Sequence, residues 1–118
     1  MNILLLDDNE HLISDIAKII IEQSGHNVCI FDNPKSALDV FKGLNIDVCF
    51  VDFHLGFMFL NGNEVIRMMK EIGPVKCVLM TGSAQPEELA KENQHWDYFL
   101  AKPFLVSELE KALQEVSK

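Results

Sequence analysis

Five residues of this 118-residue chain have types and spacings that could do chemistry together: the adjacent acids Asp7 and Asp8, the acid Asp52, the hydroxyl of Thr81 and the ammonium of Lys102. Each also has a plain reading. Asp8 would cap a helix. Asp52 would bond its own backbone in a turn. Thr81, before Gly82, would be a turn residue, and Lys102 a solvated charge. Asp52 is the most demanding of the five. It lies in "FVDFHLGFMFLNG", residues 50–62, after Cys49, Phe50 and Val51; beyond His54 come Phe57, Met58, Phe59 and Leu60. A lone carboxylate beside so much apolar surface is costly unless something holds it there.

The elements that must position these residues follow from apolar patterning. Strands are expected over 2–6, 27–31, 47–51, 75–80 and 97–101. A helix is expected over 9–24, with Leu12, Ile13, Ile16, Ala17 and Ile20 on one face and Gly25 as its stop. Asn33 and Pro34 read as an N-cap and first helical residue, opening a helix to about Lys42 that Gly43 ends. A third helix spans about 63–72 and is closed by Gly73 and Pro74. A fourth opens at Pro86, with Glu87 and Glu88 suiting the positive helix terminus. Ser107 and Glu110 read as the capping box of the last. Near-continuous apolar strands alternating with helices imply a parallel sheet covered on both faces.

In a doubly wound sheet, ligands bind beyond the carboxyl ends of the strands. Asp7 and Asp8 follow the first strand, Asp52 the third, Thr81 the fourth, and Lys102 with Pro103 the fifth. The second strand ends in Phe31 and Asp32, at the sheet edge and away from this cluster. Two carboxylates about 4 Å apart repel by about 4 kcal/mol at an effective dielectric of 20. A divalent cation reverses that sign, and an oxygen-only ligand set suits Mg²⁺.

Composition bounds the rest. The length fits one domain, 1–118, with no repeat or linker, and the last helix runs to the final residue, so no output domain is expected in this chain. The net charge of −8 argues against a nucleic-acid surface. No apolar run approaches the roughly 20 residues of a membrane span, and the start lacks a signal peptide's positive region. Cys29, Cys49 and Cys77 lie in apolar runs and read as buried free thiols of a reducing cytosol. His11, His26 and His95 show no metal-ligand pattern. Nucleotide-binding glycine loops are absent.

Through Asp7 and Asp8, Asp52, Thr81 and the run Lys102, Pro103, Phe104, the whole chain resembles the receiver domains of two-component response regulators. Its intervals, 44 residues from Asp8 to Asp52 and 21 from Thr81 to Lys102, are usual for that family. The resemblance implies a flavodoxin-like α/β fold with five parallel strands in the order 2-1-3-4-5. It implies that Asp52 is the phosphoacceptor, served by a sensor histidine kinase or phosphotransfer protein. Asp7, Asp8, Asp52 and the backbone carbonyl of His54 would hold Mg²⁺ or Mn²⁺. Thr81 and Lys102 would assist transfer, Thr81 and Phe99 would form a switch, and the Lys102-Pro103 bond would be cis. His54 and Ser83 would tune phosphoryl lifetime. The implied molecule is a cytoplasmic signalling switch rather than a turnover enzyme. It would act on a downstream protein, a fused output domain or a second copy of itself. Two alternatives remain: a binding module of this fold that takes no phosphate, and a Mg²⁺-dependent phosphohydrolase. The latter typically carries a second acid where this chain has His54.

The chain departs from the family pattern in three places. Gly56 stands where a proline is usual. Gly62 falls ten residues after Asp52 rather than eight, which implies about two inserted residues in the loop holding Phe57, Met58, Phe59 and Leu60. That apolar loop would cover the adjacent helix or dock a partner. Finally, His95 and Trp96 replace the usual Gly-Ala before the fifth strand.

Overall fold

The computed structural model describes residues 1–7, 11–55, 61–82 and 94–118. Five strands form one parallel sheet: β1 (Asn2–Leu6), β2 (Asn27–Phe31), β3 (Val48–Asp52), β4 (Lys76–Thr81) and β5 (Tyr98–Ala101). Their order is β2-β1-β3-β4-β5, and every neighbouring pair is parallel. Among the described residues there are four helices: α1 (His11–Gln23), α2 (Pro34–Gly43), α3 (Gly62–Ile72) and α4 (Val106–Val116). The helix expected from Pro86 lies outside the described residues.

Strand side chains alternate between faces, and here both faces are apolar because both are covered. Leu4, Leu6, Cys49, Val51, Cys77 and Leu79 pack with Ala37, Leu38 and Phe41 of α2 and Val65, Ile66 and Met69 of α3. Ile3, Leu5, Val48, Phe50, Val78, Met80 and Leu100 pack with Ala17 and Ile21 of α1 and Leu109, Ala112, Leu113 and Val116 of α4. Each such Val, Leu, Ile, Phe or Met side chain contributes about 1.5–3 kcal/mol by leaving water. Cys49 and Cys77 are buried free thiols, paired in register across β3 and β4, whereas Cys29 is only half-buried. Burial pushes the Cys49 thiol well up, so it is chemically quiet.

Local signals set most helix ends. Asn33 Oδ1 accepts the Ser36 N–H at 2.8 Å with Pro34 at the first helical turn. Gly25 ends the α1 turn at φ +90°, a conformation that favours glycine. Asn61 Oδ1 accepts the Glu64 N–H at 3.0 Å, so α3 starts at Gly62, one residue earlier than expected. The last helix corrects the sequence reading. Its N-cap is Leu105, whose N–H donates to Glu108 Oε1 at 2.8 Å. Ser107 is already inside the first turn of α4, so Ser107 and Glu110 are not its capping box. Glu108 closes the free N–H itself, and the helix needs no hydroxyl cap.

Candidate functional site

Three backbone hydrogen bonds carry the ladder past the carboxyl ends of the strands. The Asp7 N–H donates to the Phe31 carbonyl at 3.0 Å, the Phe53 N–H to the Met80 carbonyl at 2.7 Å, and the Lys102 N–H to the Thr81 carbonyl at 2.8 Å. These bonds explain why β3 and β4 each run one residue beyond expectation, making Asp52 and Thr81 the last residues of their strands. Strand order reverses at β1 and β3, which is where ligands bind in such sheets. Asp7 leaves β1 at that point and Asp52 ends β3 beside it.

Lys102 joins the two acids. Its Nζ donates to Asp7 Oδ2 at 2.7 Å and lies 3.4 Å from Asp52 Oδ2. The side chains are only 7% (Lys102), 1% (Asp7) and 7% (Asp52) exposed. Two buried carboxylates thus share one ammonium, which leans toward Asp7. The charge deficit falls on Asp52. Burial raises its carboxyl, Lys102 pulls it down, and Asp7 adds a further upward push; the outcome is a rise from 3.8 to about 7. Thr81 is buried at the end of β4, opposite Ala101. The Lys102-Pro103 peptide bond is cis.

The donor set fits a hard divalent cation. Asp7 and Asp52 offer two carboxylates about one ammonium, and among the described residues no thiol or imidazole is seen with them, which suits Mg²⁺ or Mn²⁺ over softer metals. Among the described residues, no three His, Cys, Asp or Glu side chains gather closely enough to hold a metal ion. Asp8 lies outside the described residues, as do Ser83, Gly56 and the apolar loop of Phe57, Met58, Phe59 and Leu60. His54 is exposed two residues past Asp52 and meets the Phe53 ring edge-on, centroids 5.1 Å apart. Leu55 then returns to the core between the sheet and α2 and α3.

The start of α3 packs against the end of β3. The Gly62 N–H donates to the Phe53 carbonyl at 2.8 Å. A Cβ on Gly62 would lie 2.8 Å from both the Asp52 carbonyl carbon and the Phe53 Cα. Asn63, 5% exposed, follows directly, and its Oδ1 accepts the His95 N–H at 3.2 Å. Trp96, next to His95, is partly buried against the α2 and α3 layer and meets Phe99 edge-on at 5.6 Å. Its indole N–H is buried without a hydrogen-bond partner among the described residues. An unpaired buried donor costs about 1–3 kcal/mol. Phe99 is half-buried on β5, opposite Leu79 of β4.

Sequence reasoning missed two positioning residues. Asn63 bridges to a residue 32 positions away, and only its place just after the first glycine of a helix marks it. Asp97 Oδ2 accepts from Lys70 Nζ at 2.7 Å and from the Cys77 N–H at 2.8 Å, tying α3 to β4 and the start of β5.

Comparison with known proteins agrees with this fold. A family model described as "Response regulator receiver domain" matches residues 3–114. The autoinducer 1 sensor kinase/phosphatase LuxN of Vibrio campbellii is 28% identical over 112 residues, which are 94% of this chain and 13% of LuxN. The chain therefore spans only about an eighth of that relative's length. A response regulator receiver domain protein from Clostridium thermocellum superposes with a TM-score of 0.81 at 25% identity, covering 98% of this chain and 92% of its own. NtrX from Brucella abortus superposes with a TM-score of 0.87 at 24% identity, covering 98% of this chain and 27% of its own.

Proposed function

The chain belongs to the response regulator receiver domain family, and on that premise we propose that it is a Mg²⁺-dependent phosphoacceptor switch in which Asp52 takes the phosphoryl group. The observation that carries this reading is the buried arrangement of Asp7 and Asp52 about the single ammonium of Lys102.

In this reading an Asp52 oxygen attacks the phosphorus of a phosphohistidine. The O–P bond forms as the P–N bond breaks, and the imidazole keeps the electron pair. Such transfer depends on positioning and on charge placed around the equatorial oxygens. Lys102 supplies an ammonium and Thr81 a hydroxyl donor. Asp7, Asp8, Asp52 and the His54 backbone carbonyl would hold the Mg²⁺, whose charge would favour the ionised carboxylate and the phosphoryl oxygens. The product carries a charge of about −1.5 to −2 where the carboxylate carried one, with new acceptor oxygens, and Thr81 and Phe99 respond to it as the switch. His54 and Ser83 tune how long the phosphoryl group lasts.

The donor is a sensor histidine kinase or a phosphotransfer protein in the cytoplasm. The receiver of the signal is a downstream protein, a fused output domain or a second copy of the chain. LuxN and NtrX, in both of which the matching stretch is a small share of a longer protein, support such contexts. The domain assists its own phosphorylation and dephosphorylation but turns over no other substrate.

Incubation with Mg²⁺ and acetyl phosphate, followed by intact mass, tests this. The expected result is one phosphoryl adduct, absent in Asp52→Asn. Mg²⁺ binding without an adduct would favour a phosphate-free binding module. Sustained turnover of a phosphorylated metabolite would favour a hydrolase.

A further inference from the structure

Trp96 is the sole tryptophan of the chain, and it sits where two packed connections meet. One runs from the acceptor. Asp52 and Phe53 touch Gly62 backbone to backbone, with no side chain between them to absorb a shift. The Phe53 carbonyl also holds the Gly62 N–H at 2.8 Å. Asn63 is the next residue, and its buried amide holds the His95 N–H at 3.2 Å. His95 is covalently joined to Trp96. The second connection runs from Trp96 to Phe99, ring edge to ring at 5.6 Å, and Phe99 lies two residues before Ala101, the partner of Thr81. The indole N–H at this junction is buried and unpaired among the described residues, so an arrangement that gives it an acceptor or water competes with the present one.

We propose that Asn63 is a positioning residue that couples the state of Asp52 to Trp96, and that Trp96 and Phe99 respond as one aromatic unit. This rests on the reading of Asp52 as phosphoacceptor. Charge added at Asp52 shifts the peptide that Gly62 leans on. The first turn of α3 moves with it, Asn63 carries the backbone of His95, and the indole is repacked against Phe99. In this chain the responding side chain is therefore the indole before β5 as well as the aromatic within it.

The test pairs two measurements on the full chain with Mg²⁺ and acetyl phosphate: intact mass for the adduct and Trp96 fluorescence for the response. Wild type forms the adduct and its emission moves to longer wavelength as the N–H gains a partner. Asn63→Ala forms the same adduct and loses most of that shift. Asn63→Asp, which keeps an acceptor for the His95 N–H, retains it and guards against a folding defect in the alanine variant. An adduct with unchanged wild-type emission, or a full shift in Asn63→Ala, overturns the coupling and leaves the proposed function standing. No adduct on Asp52 overturns both.

Discussion

Gly62 rests directly on the carbonyl of Asp52. A Cβ at position 62 would meet the Asp52 carbonyl carbon at 2.8 Å, and the neighbour that would have to yield is backbone rather than a flexible side chain. Gly62→Ala is therefore expected to cost about 1–3 kcal/mol, the usual range for overpacking, read from urea unfolding. Gly43, at the end of α2, has nothing within 4 Å of a built Cβ. Gly43→Ala should leave stability unchanged or slightly raised. Equal losses at both sites would show that backbone entropy, not the Asp52 contact, governs position 62.

The metal-free protein should lose stability as pH rises through the Asp52 titration. The folded-state carboxyl is pushed up from 3.8 to about 7. Below the lower value both states hold the proton and the group contributes nothing. Between the two values the folded state holds more protons than the unfolded chain, so stability falls with rising pH, and the loss is complete above about 7. At about 1.4 kcal/mol per unit the loss is at most about 4 kcal/mol. Asp52→Asn removes it. Urea unfolding in EDTA, taken as wild type minus Asp52→Asn, should give a difference that declines from weakly acidic to weakly alkaline pH. A difference that rises over that interval would contradict the buried charge deficit.

Millimolar Mg²⁺ should raise the melting temperature and flatten that pH dependence, because a cation beside Asp7 and Asp52 favours the ionised form. Tenfold excess over the dissociation constant corresponds to roughly 1.4 kcal/mol. Differential scanning calorimetry with and without Mg²⁺ reads the shift. It should shrink in Asp52→Asn. No shift in wild type would count against an acidic metal pocket.

Lys102 is the one described cation that both acids share, so its removal should be costly without metal. Lys102→Met leaves Asp7 and Asp52 buried without their described cation. Breaking a buried ion pair on one side costs about 3 kcal/mol or more. Mg²⁺ should restore part of this loss, yet the acetyl phosphate adduct should form much more slowly, since a metal does not replace the ammonium at its own position. Stability by calorimetry and adduct rate by mass separate the two effects.

Much of this protein was legible from local pattern. The five strands, the Asn33 cap, the stop at Gly25 and the positions of Asp7, Asp52, Thr81 and Lys102 at strand ends all rest on signals a few residues long. Reading failed where competing signals were equally local. Ser107 and Glu110 spell a capping box, but the acid three residues after Leu105 closes the helix start first. It also failed for Asn63 and Asp97, whose partners lie 32 and 20 residues away.

The sequence by itself determined which residues carry charge and at which strand ends they emerge, because periods of two and of 3.6 are written in neighbouring residues. Only the tertiary structure decided how those charges share one another. The order of strands brings Lys102 to Asp7 across 95 residues of chain, and the closeness of 2.7 Å against 3.4 Å leaves Asp52 the less neutralised acid. Burial then raises its carboxyl, since the cost of a charge depends on the water excluded around it, and that exclusion is a property of the packed layers, not of any segment.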